Sequence, residues 1–296
     1  MMNYTGWEIP EGKVIKVEDA DGRVIWMLPS SGKPVILQVE KITSDTYAGE
    51  TTYTGEQFIL LDIYPKTNGT VKVTYGGLSK IITDTSGAES PNAQQVFFGT
   101  FNGVTDEVET PASGTLTIEG DFYAFGCGSF QKGSKNTNIG YSNCITSVTD
   151  WGNPTVIPDH AFYYCHGVDF SIIPEGVTSI GVMAFAMSFE GAAANPAWLT
   201  PITSVTLPST IKSIGNYAFS RKVDTTGSGT NMVTYYYCCL KTVRILATTP
   251  PSLGSIVFGD RDVARVQSIV VPKGCGDAYK AAEGWSYYAN IIVEAS

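Results

Sequence analysis

Histidine is nearly missing from this chain, with two in 296 residues, and only 16% of the sequence is charged. General acid–base and nucleophilic chemistry draw on histidine and on convergent carboxylates, so catalysis is poorly supplied and no enzyme is expected. Cations are scarce too. Nineteen Lys and Arg against 28 Asp and Glu leave a net charge of −9, which argues against nucleic acid or an anionic membrane as a partner. No window reaches the ~18 apolar residues of a membrane helix, so no membrane insertion is expected. Residues 1–12 lack both a basic n-region and an apolar h-region, so no secretory signal is visible. The cysteines are six, Cys127, Cys144, Cys165, Cys238, Cys239 and Cys275, without a CxxC pair. Adjacent Cys238 and Cys239 pair poorly with each other, so buried free thiols are expected rather than a disulfide framework or a metal site. No cofactor is implied.

What is present favours strands. The chain is 43% hydrophobic, enough to bury a sizeable core, and its 31 Gly and 15 Pro serve turns better than helices. Residues 13–27 carry two β-branched runs around Asp19-Ala20-Asp21-Gly22, the pattern of a hairpin. A calcium loop would need further spaced ligands and a distal Glu that are absent here. After a linker through Pro34, residues 35–112 read as short strands. Val35, Leu37 and Val39 alternate with Ile36, Gln38 and Glu40, as Val71, Val73 and Tyr75 do with Lys72 and Thr74. Residues 58–64 and 95–101 are apolar runs of strand length, and Gly76-Gly77 forms a two-residue turn. Six or seven strands without a helical period predict a small immunoglobulin-like β-sandwich over 31–112, behind an N-terminal hairpin segment at 1–30.

Repetition is the strongest signal. Residues 154–162, 177–185 and 211–219 align without gaps, each ending in Ala-Phe and each preceded by a short apolar strand. Counting from an apolar start, strand residues fall at +3 and +5, an Ile at +12, and Ala-Phe at +16 and +17. Starts at 113, 145, 168, 202, 240 and 266 fit this frame, the first as a degenerate unit; Ser171 weakens +3 of one unit and Asp150 misfits +5 of another. The shortest spacing, 23 residues, lies in the leucine-rich-repeat range. One strand-and-turn unit cannot bury its apolar residues alone, whereas stacked neighbours can.

The I-x-S-I-G-x-x-A-F motif, seen in 211–219 and 177–185 and with Pro158 in place of Gly in 154–162, resembles the BspA-like leucine-rich repeats of bacterial surface proteins. The resemblance covers about 113–296. Cys165 matches a cysteine common in that family and usually buried. Residues 269–285 are similar to the family's closing segment, where a short helix caps the open end, here over 272–296. The resemblance implies protein or surface binding and adhesion without catalysis, and it transfers no binding residue. At the front, Gly6-Trp7-Glu8-Ile9-Pro10 with Asp21-Gly22-Arg23-Val24-Ile25-Trp26 resembles the start of gut prophage structural proteins that carry such repeats behind a β domain.

Three spacings exceed 23 residues substantially, and the surplus follows the Phe at +17, at about 131–141, 186–198 and 220–236. Equivalent positions of a solenoid share an edge, so these loops are expected to cluster. Their aromatic residues Tyr141, Phe189, Trp198, Tyr235 and Tyr236 are the candidate ligand-binding positions. Catalytic readings are weaker: Cys165, His166 and Asp169 sit too close in sequence to converge easily, and Gly126-Cys127-Gly128 lacks the rest of a nucleophile elbow. Glu107 and Glu109 read as a solvated connector. The expectation is therefore a mainly β chain, an Ig-like sandwich followed by a leucine-rich-repeat solenoid with a short capping helix. It would bind a protein or glycan on a cell surface without catalysis, at an extracellular, cell-surface or virion location. The alternatives are a phage tail or baseplate protein for host-surface recognition and an accessory module of glycan metabolism.

Overall fold

The structure, a computed structural model, describes residues 15–18, 24–27, 34–39, 58–84, 94–101, 104–105, 113–127, 129–131, 139–141, 145–163, 170–186, 203–226, 233–238, 240–259 and 266–296. The fold is mainly β. The front hairpin forms as the Asp-Gly signal predicts: β1 (Ile15–Glu18) pairs antiparallel with β2 (Val24–Met27).

Alternation then builds two antiparallel sheets. β3 (Val35–Val39) buries Val35, Leu37 and Val39, and β5 (Thr70–Tyr75) buries Val71, Val73 and Tyr75. β5 turns through Gly76 and Gly77 into β6 (Leu78–Thr83); both glycines have positive φ, 58° and 83°, as a tight hairpin turn requires. β4 (Phe58–Pro65) pairs with β7 (Gln94–Phe101), which carries β8 (Val104–Thr105) at its edge. The inner faces of both sheets, with Ile59, Leu61, Ile63, Val96 and Phe98 opposing the β3 and β5 residues, belong to one apolar core. Lys80 on edge strand β6 reaches across it, donating to the Phe97 carbonyl with its ammonium 4.7 Å above the Phe98 ring.

The boundary expected at 112/113 does not hold. β9 (Gly114–Gly120) lies between β3 and β5, and β13 (Ile145–Trp151) pairs antiparallel with the other side of β3, giving the order β13-β3-β9-β5-β6. β10 (Phe122–Cys127) pairs antiparallel with β4. The unit starting at 113 is thus no parallel rung. Its +3 and +5 matches, Leu116 and Ile118, are the alternation of any half-buried strand, which cannot say whether the partner runs parallel or antiparallel. What the frame captured is the switch between layers: β9 and β13 enter the five-stranded sheet, while β10 enters the four-stranded one.

Beyond Trp151 two ladders of parallel strands follow, with one antiparallel ribbon leaving them. One ladder stacks β14 (Val156–Ile157), β15 (Ser179–Ile180), β17 (Ser213–Ile214) and β21 (Ser252–Leu253). The other stacks β16 (Ser204–Leu207), β20 (Thr242–Ile245), β22 (Ser268–Val271) and β23 (Ile292–Glu294). Ile172 joins the latter only through an isolated bridge to Thr206, the weak strand that Ser171 foreshadowed. Between the ladders Phe162, Phe185, Phe219 and Phe258 stack near-parallel, with centroids 5.4, 5.2 and 5.6 Å apart. Edge strand β10 touches β14, and Phe125 and Trp151 pack on Phe162 at 5.8 and 5.5 Å, so the antiparallel sheets cover the first rung.

Two local rules make the rungs superimposable. His160, Met183, Tyr217 and Ile256, each two residues before the stacked Phe, all sit in the left-handed region at φ of 52–58°. Such non-glycine residues cost about 1–3 kcal/mol each, and neighbouring rungs hold them. The amides of His160, Met183 and Tyr217 donate to the carbonyls of Val182, Asn216 and Ser255 at 2.9–3.0 Å. The Gly of the motif is a matter of space. A Cβ on Gly215 would stand 2.6 Å from backbone atoms of Gly181 and Val182, and one on Gly181 would stand 2.4 Å from the Asp159 nitrogen. Pro158 takes that place in the first rung, β14, which is the edge of its ladder among the described strands.

The closing segment is more than the short helix expected. α1 (Gly276–Ala281) leads into a 3-10 helix (Trp285–Ile291) and then β23, the last parallel strand of its ladder. Trp285 donates from Nε1 to the Pro251 carbonyl at 2.7 Å, and the Tyr279 hydroxyl donates to the Ala247 carbonyl at 2.7 Å. Where another rung would accept the Phe258 amide, the buried Tyr288 hydroxyl does so at 3.3 Å, and it donates in turn to Gly259 at 3.2 Å.

Candidate functional site

Register places one row of residues on the outer face of the second ladder. Ile172 aligns with Thr206, Thr206 with Arg244, Arg244 with Val270, and Val270 with Val293. Their neighbours Val205, Val243, Ile269 and Ile292 point into the core. Ile172 is 67% exposed and Val293 47%, with Arg244 exposed between them. Beside this row runs a hydroxyl row, Ser204, Thr242 and Ser268. The arrangement is a flat face of apolar and hydroxyl groups with one guanidinium, held by backbone hydrogen bonds. Such a face contacts a partner surface with little ordering cost.

The expected binding loops emerge at one corner of this stack and at one place outside it. β18 (Arg221–Thr226) and β19 (Val233–Tyr237) form an antiparallel ribbon that leaves the stack directly after Phe219 and Ser220. In it Tyr235 lies opposite Asp224 and Tyr236 opposite Lys222. Tyr141 ends β12 (Ile139–Tyr141), paired with β11 (Ser129–Gln131) so that Tyr141 faces Ser129. That ribbon lies between β10 and β13 in the chain, both strands of the antiparallel sheets, so it does not occupy a repeat-equivalent position as the spacing implied. Phe189 and Trp198 lie outside the described residues, as do Cys165, His166, Asp169, Glu107 and Glu109. His160 is exposed at its left-handed turn position, 5.7 Å from the Tyr163 ring. Cys238, which is buried, and Cys275 are not joined in a disulfide.

The titrating groups are structural in setting. Burial raises the Asp62 carboxyl, opposed by the hydrogen bond that Gln95 donates at 3.0 Å. Burial also raises the phenols of Tyr64 and Tyr279. Glu294 is lowered, chiefly because its carboxylate accepts the amides of Gly274 and Gly276 at 2.9 and 2.8 Å. Among the described residues no three His, Cys, Asp or Glu gather in a way that could hold a metal ion, and no helix is long and apolar enough to cross a membrane.

Residues 155–190 and 197–245 match the family model described as BspA type Leucine rich repeat region, in six copies. These two segments are therefore similar to BspA-like leucine-rich repeats. The BspA-like match begins at 155, just before the first parallel rung, and leaves out 113–154, whose described strands pair antiparallel. It ends at 245, while the parallel ladders continue through β21, β22 and β23. BspA-like repeats are consistent with a surface-binding or adhesion role. No curated protein matches the chain. The exposed row went unnoticed in sequence, although its signal was there. Ile172, Thr206, Arg244 and Val270 all occupy +4, the outward position between the two strand residues that defined each unit.

Proposed function

We propose that this chain is a non-catalytic binding protein of the adhesion type, acting outside the cell and reading a protein or glycan surface. In this reading the two antiparallel sheets are an Ig-like sandwich that serves as a mount. The BspA-like repeats are a solenoid whose outer ladder face and emergent ribbon meet the partner. One observation carries it: the +4 row from Ile172 to Val293 faces outward on a hydrogen-bonded sheet, with Ile172 and Val293 exposed at its ends and Thr206, Arg244 and Val270 between them, although every flanking +3 and +5 position from β16 to β22 is buried. An outward row of apolar, hydroxyl and cationic groups fixed by backbone hydrogen bonds offers a preordered contact surface. The ribbon tyrosines Tyr235 and Tyr236, with Trp198 and Phe189 of the neighbouring insertion and Tyr141 of the other ribbon, supply further contacts.

The test is an array of purified extracellular proteins and glycans probed with wild-type chain, Ile172→Asp and Thr206→Arg. Both substitutions lie on the exposed face, so the thermal midpoint should not change, while binding to the recognised component should fall at least tenfold. Full binding by both folded variants would remove the ladder face from the proposal. Alanine at Trp198 or Tyr235 examines the insertion contacts in the same way.

A further inference from the structure

One sheet edge differs from the others. Among the described strands that end a sheet, β13 and β10 carry register shifts against β3 and β4, as β18 and β19 do against each other. Every remaining edge strand but β6 is four residues long or shorter. Bulges and short strands are ways in which sheet edges avoid joining another chain. β6 has neither. It pairs with β5 over six residues, from Thr70↔Thr83 to Tyr75↔Leu78, without a shift. Ser79, Ile81 and Thr83 are exposed along it, and Ile81 is 57% exposed.

The hairpin also fixes which backbone groups face outward. A two-residue turn is closed by a pair that exchanges both its hydrogen bonds, here Tyr75 and Leu78, and bonded pairs then alternate with unbonded ones. Val73 with Lys80 and Val71 with Ile82 are therefore bonded pairs. The Asp84 amide continues the alternation by donating to the Gly69 carbonyl at 3.0 Å. The N–H and C=O groups of Ser79, Ile81 and Thr83 thus point away from β5. In keeping with this, the Thr83 carbonyl accepts from the Gln94 side chain at 3.1 Å. An inward-facing lysine often guards an edge strand. Lys80 is instead folded back, its ammonium on the Phe97 carbonyl and over the Phe98 ring.

We propose that β6 is a self-association edge, and that two copies of this chain join by antiparallel pairing of β6 with β6 about a two-fold axis at Ile81. The strand is complementary to itself in this arrangement. Ile81 faces the partner's Ile81 and Ser79 faces the partner's Thr83, each pair exchanging backbone hydrogen bonds. The isoleucines cover each other's exposed surface, and Ser opposite Thr is a favourable cross-strand pair. On the other face Lys80 comes opposite the partner's Ile82, over which its methylenes lie. Behind the joint the row continues from Ile81 to Lys72 and from Lys72 to Glu119, so no like charges stand directly opposite. Pairing centred on Lys80 would set the two lysines against each other, which selects the Ile81 register. One strand pair buries less than a standard interface, so the dimer forms and dissociates with concentration. It carries two sets of repeats, which raises avidity for a surface with repeated sites. The proposal does not depend on the adhesion reading.

Sedimentation velocity of the intact chain, over a hundredfold range of concentration reaching the high micromolar, tests this. The expected result is a monomer that becomes a dimer as concentration rises. I81K and I81E each set like charges against each other at the two-fold axis. Either should weaken association at least tenfold at an unchanged thermal midpoint. An equimolar mixture of the two should restore it, because Lys then faces Glu. Cα atoms of a directly opposed bonded pair stand about 5.5 Å apart, within disulfide reach. I81C should therefore oxidise to a covalent dimer that reductant reverses, beyond any seen in wild type, whereas S79C, opposite Thr83 and not itself, should not. Hydrogen exchange of the wild type needs no variant: the amides of Ser79, Ile81 and Thr83 should slow as concentration rises. A chain that stays monomeric throughout overturns the proposal. So does a dimer indifferent to I81K, a mixture that fails to reassociate, or concentration-dependent protection confined to other strands.

Discussion

The phenylalanine stack gives the sharpest test of how the repeats cohere. Phe219 is 2% exposed, with Phe185 stacked on one side at 5.2 Å and 9° and Phe258 on the other at 5.6 Å and 18°. Truncation to alanine removes a ring from between two rings whose positions are fixed by inter-rung hydrogen bonds: Phe185 to Ala218 at 2.8 Å and Phe219 to Val257 at 3.1 Å. Collapse into the gap would break these bonds, so the cavity should persist. Fully buried Phe→Ala changes cost about 3–5 kcal/mol, and loss of two stacking contacts puts Phe219→Ala in the upper part of that range, since each is worth roughly 0.5–1.5 kcal/mol beyond burial. For a chain of this size the thermal midpoint should drop by at least about 6 °C. Urea unfolding followed by tryptophan fluorescence and by far-ultraviolet circular dichroism measures the loss. Trp285 contacts the stack at Phe258 and Trp151 contacts it at Phe162, so fluorescence reports both ends. Lys212→Ala, exposed on the same rung, should stay within about 0.5 kcal/mol. A loss below 1 kcal/mol for Phe219→Ala would refute the continuous stack. Transitions that separate between the two probes would show that the rungs unfold independently of the sheets.

Other outcomes follow from single contacts. Tyr288→Phe keeps the ring and removes the hydroxyl that accepts from Phe258 and donates to Gly259; with both partners buried, urea titration should show a loss of about 1–3 kcal/mol. Gly215→Ala forces a Cβ to 2.6 Å from the backbone of the preceding rung, so it should cost on the order of 1–3 kcal/mol or more by overpacking, whereas alanine at Gly274, where a Cβ meets nothing but φ is +78°, tests backbone strain alone. Glu294 titrates below its ordinary 4.5 because two backbone amides bind its carboxylate. Its contribution is therefore complete above about pH 4.5 and is lost as pH falls through the lowered folded value. Thermal melts from pH 6 to pH 3 should show this component in the wild type and lack it in Glu294→Gln.

Much of this fold was legible because alternation and repetition are local. Val35, Leu37 and Val39, the Gly76-Gly77 turn and the Ala-Phe frame each declare their role within a few residues. Cys238 is buried and in no disulfide, as the missing CxxC pairs suggested. The misreading of 113–151 has a physical cause: a strand's two-residue period is the same whether its neighbour runs parallel or antiparallel, and only the pairing of β9 with β3 and β5 distinguishes them. The candidate site was only half legible for a related reason. Surplus length pointed to insertions, and the 220–236 insertion is indeed a ribbon leaving the stack, yet length alone could not reveal that the 131–141 ribbon leaves from the antiparallel sheets.

The amino-acid pattern by itself determined the rung. The Ile, Gly, Ala and Phe of the motif set which residues face inward, where backbones touch and how far apart the layers stand, because burial and close approach act within one unit and its copy. Tertiary structure alone decided where the ladders begin and how they are closed. Phe125 and Trp151, far apart in sequence, meet over Phe162 at one end, and the Tyr288 hydroxyl stands in for a missing carbonyl at the other.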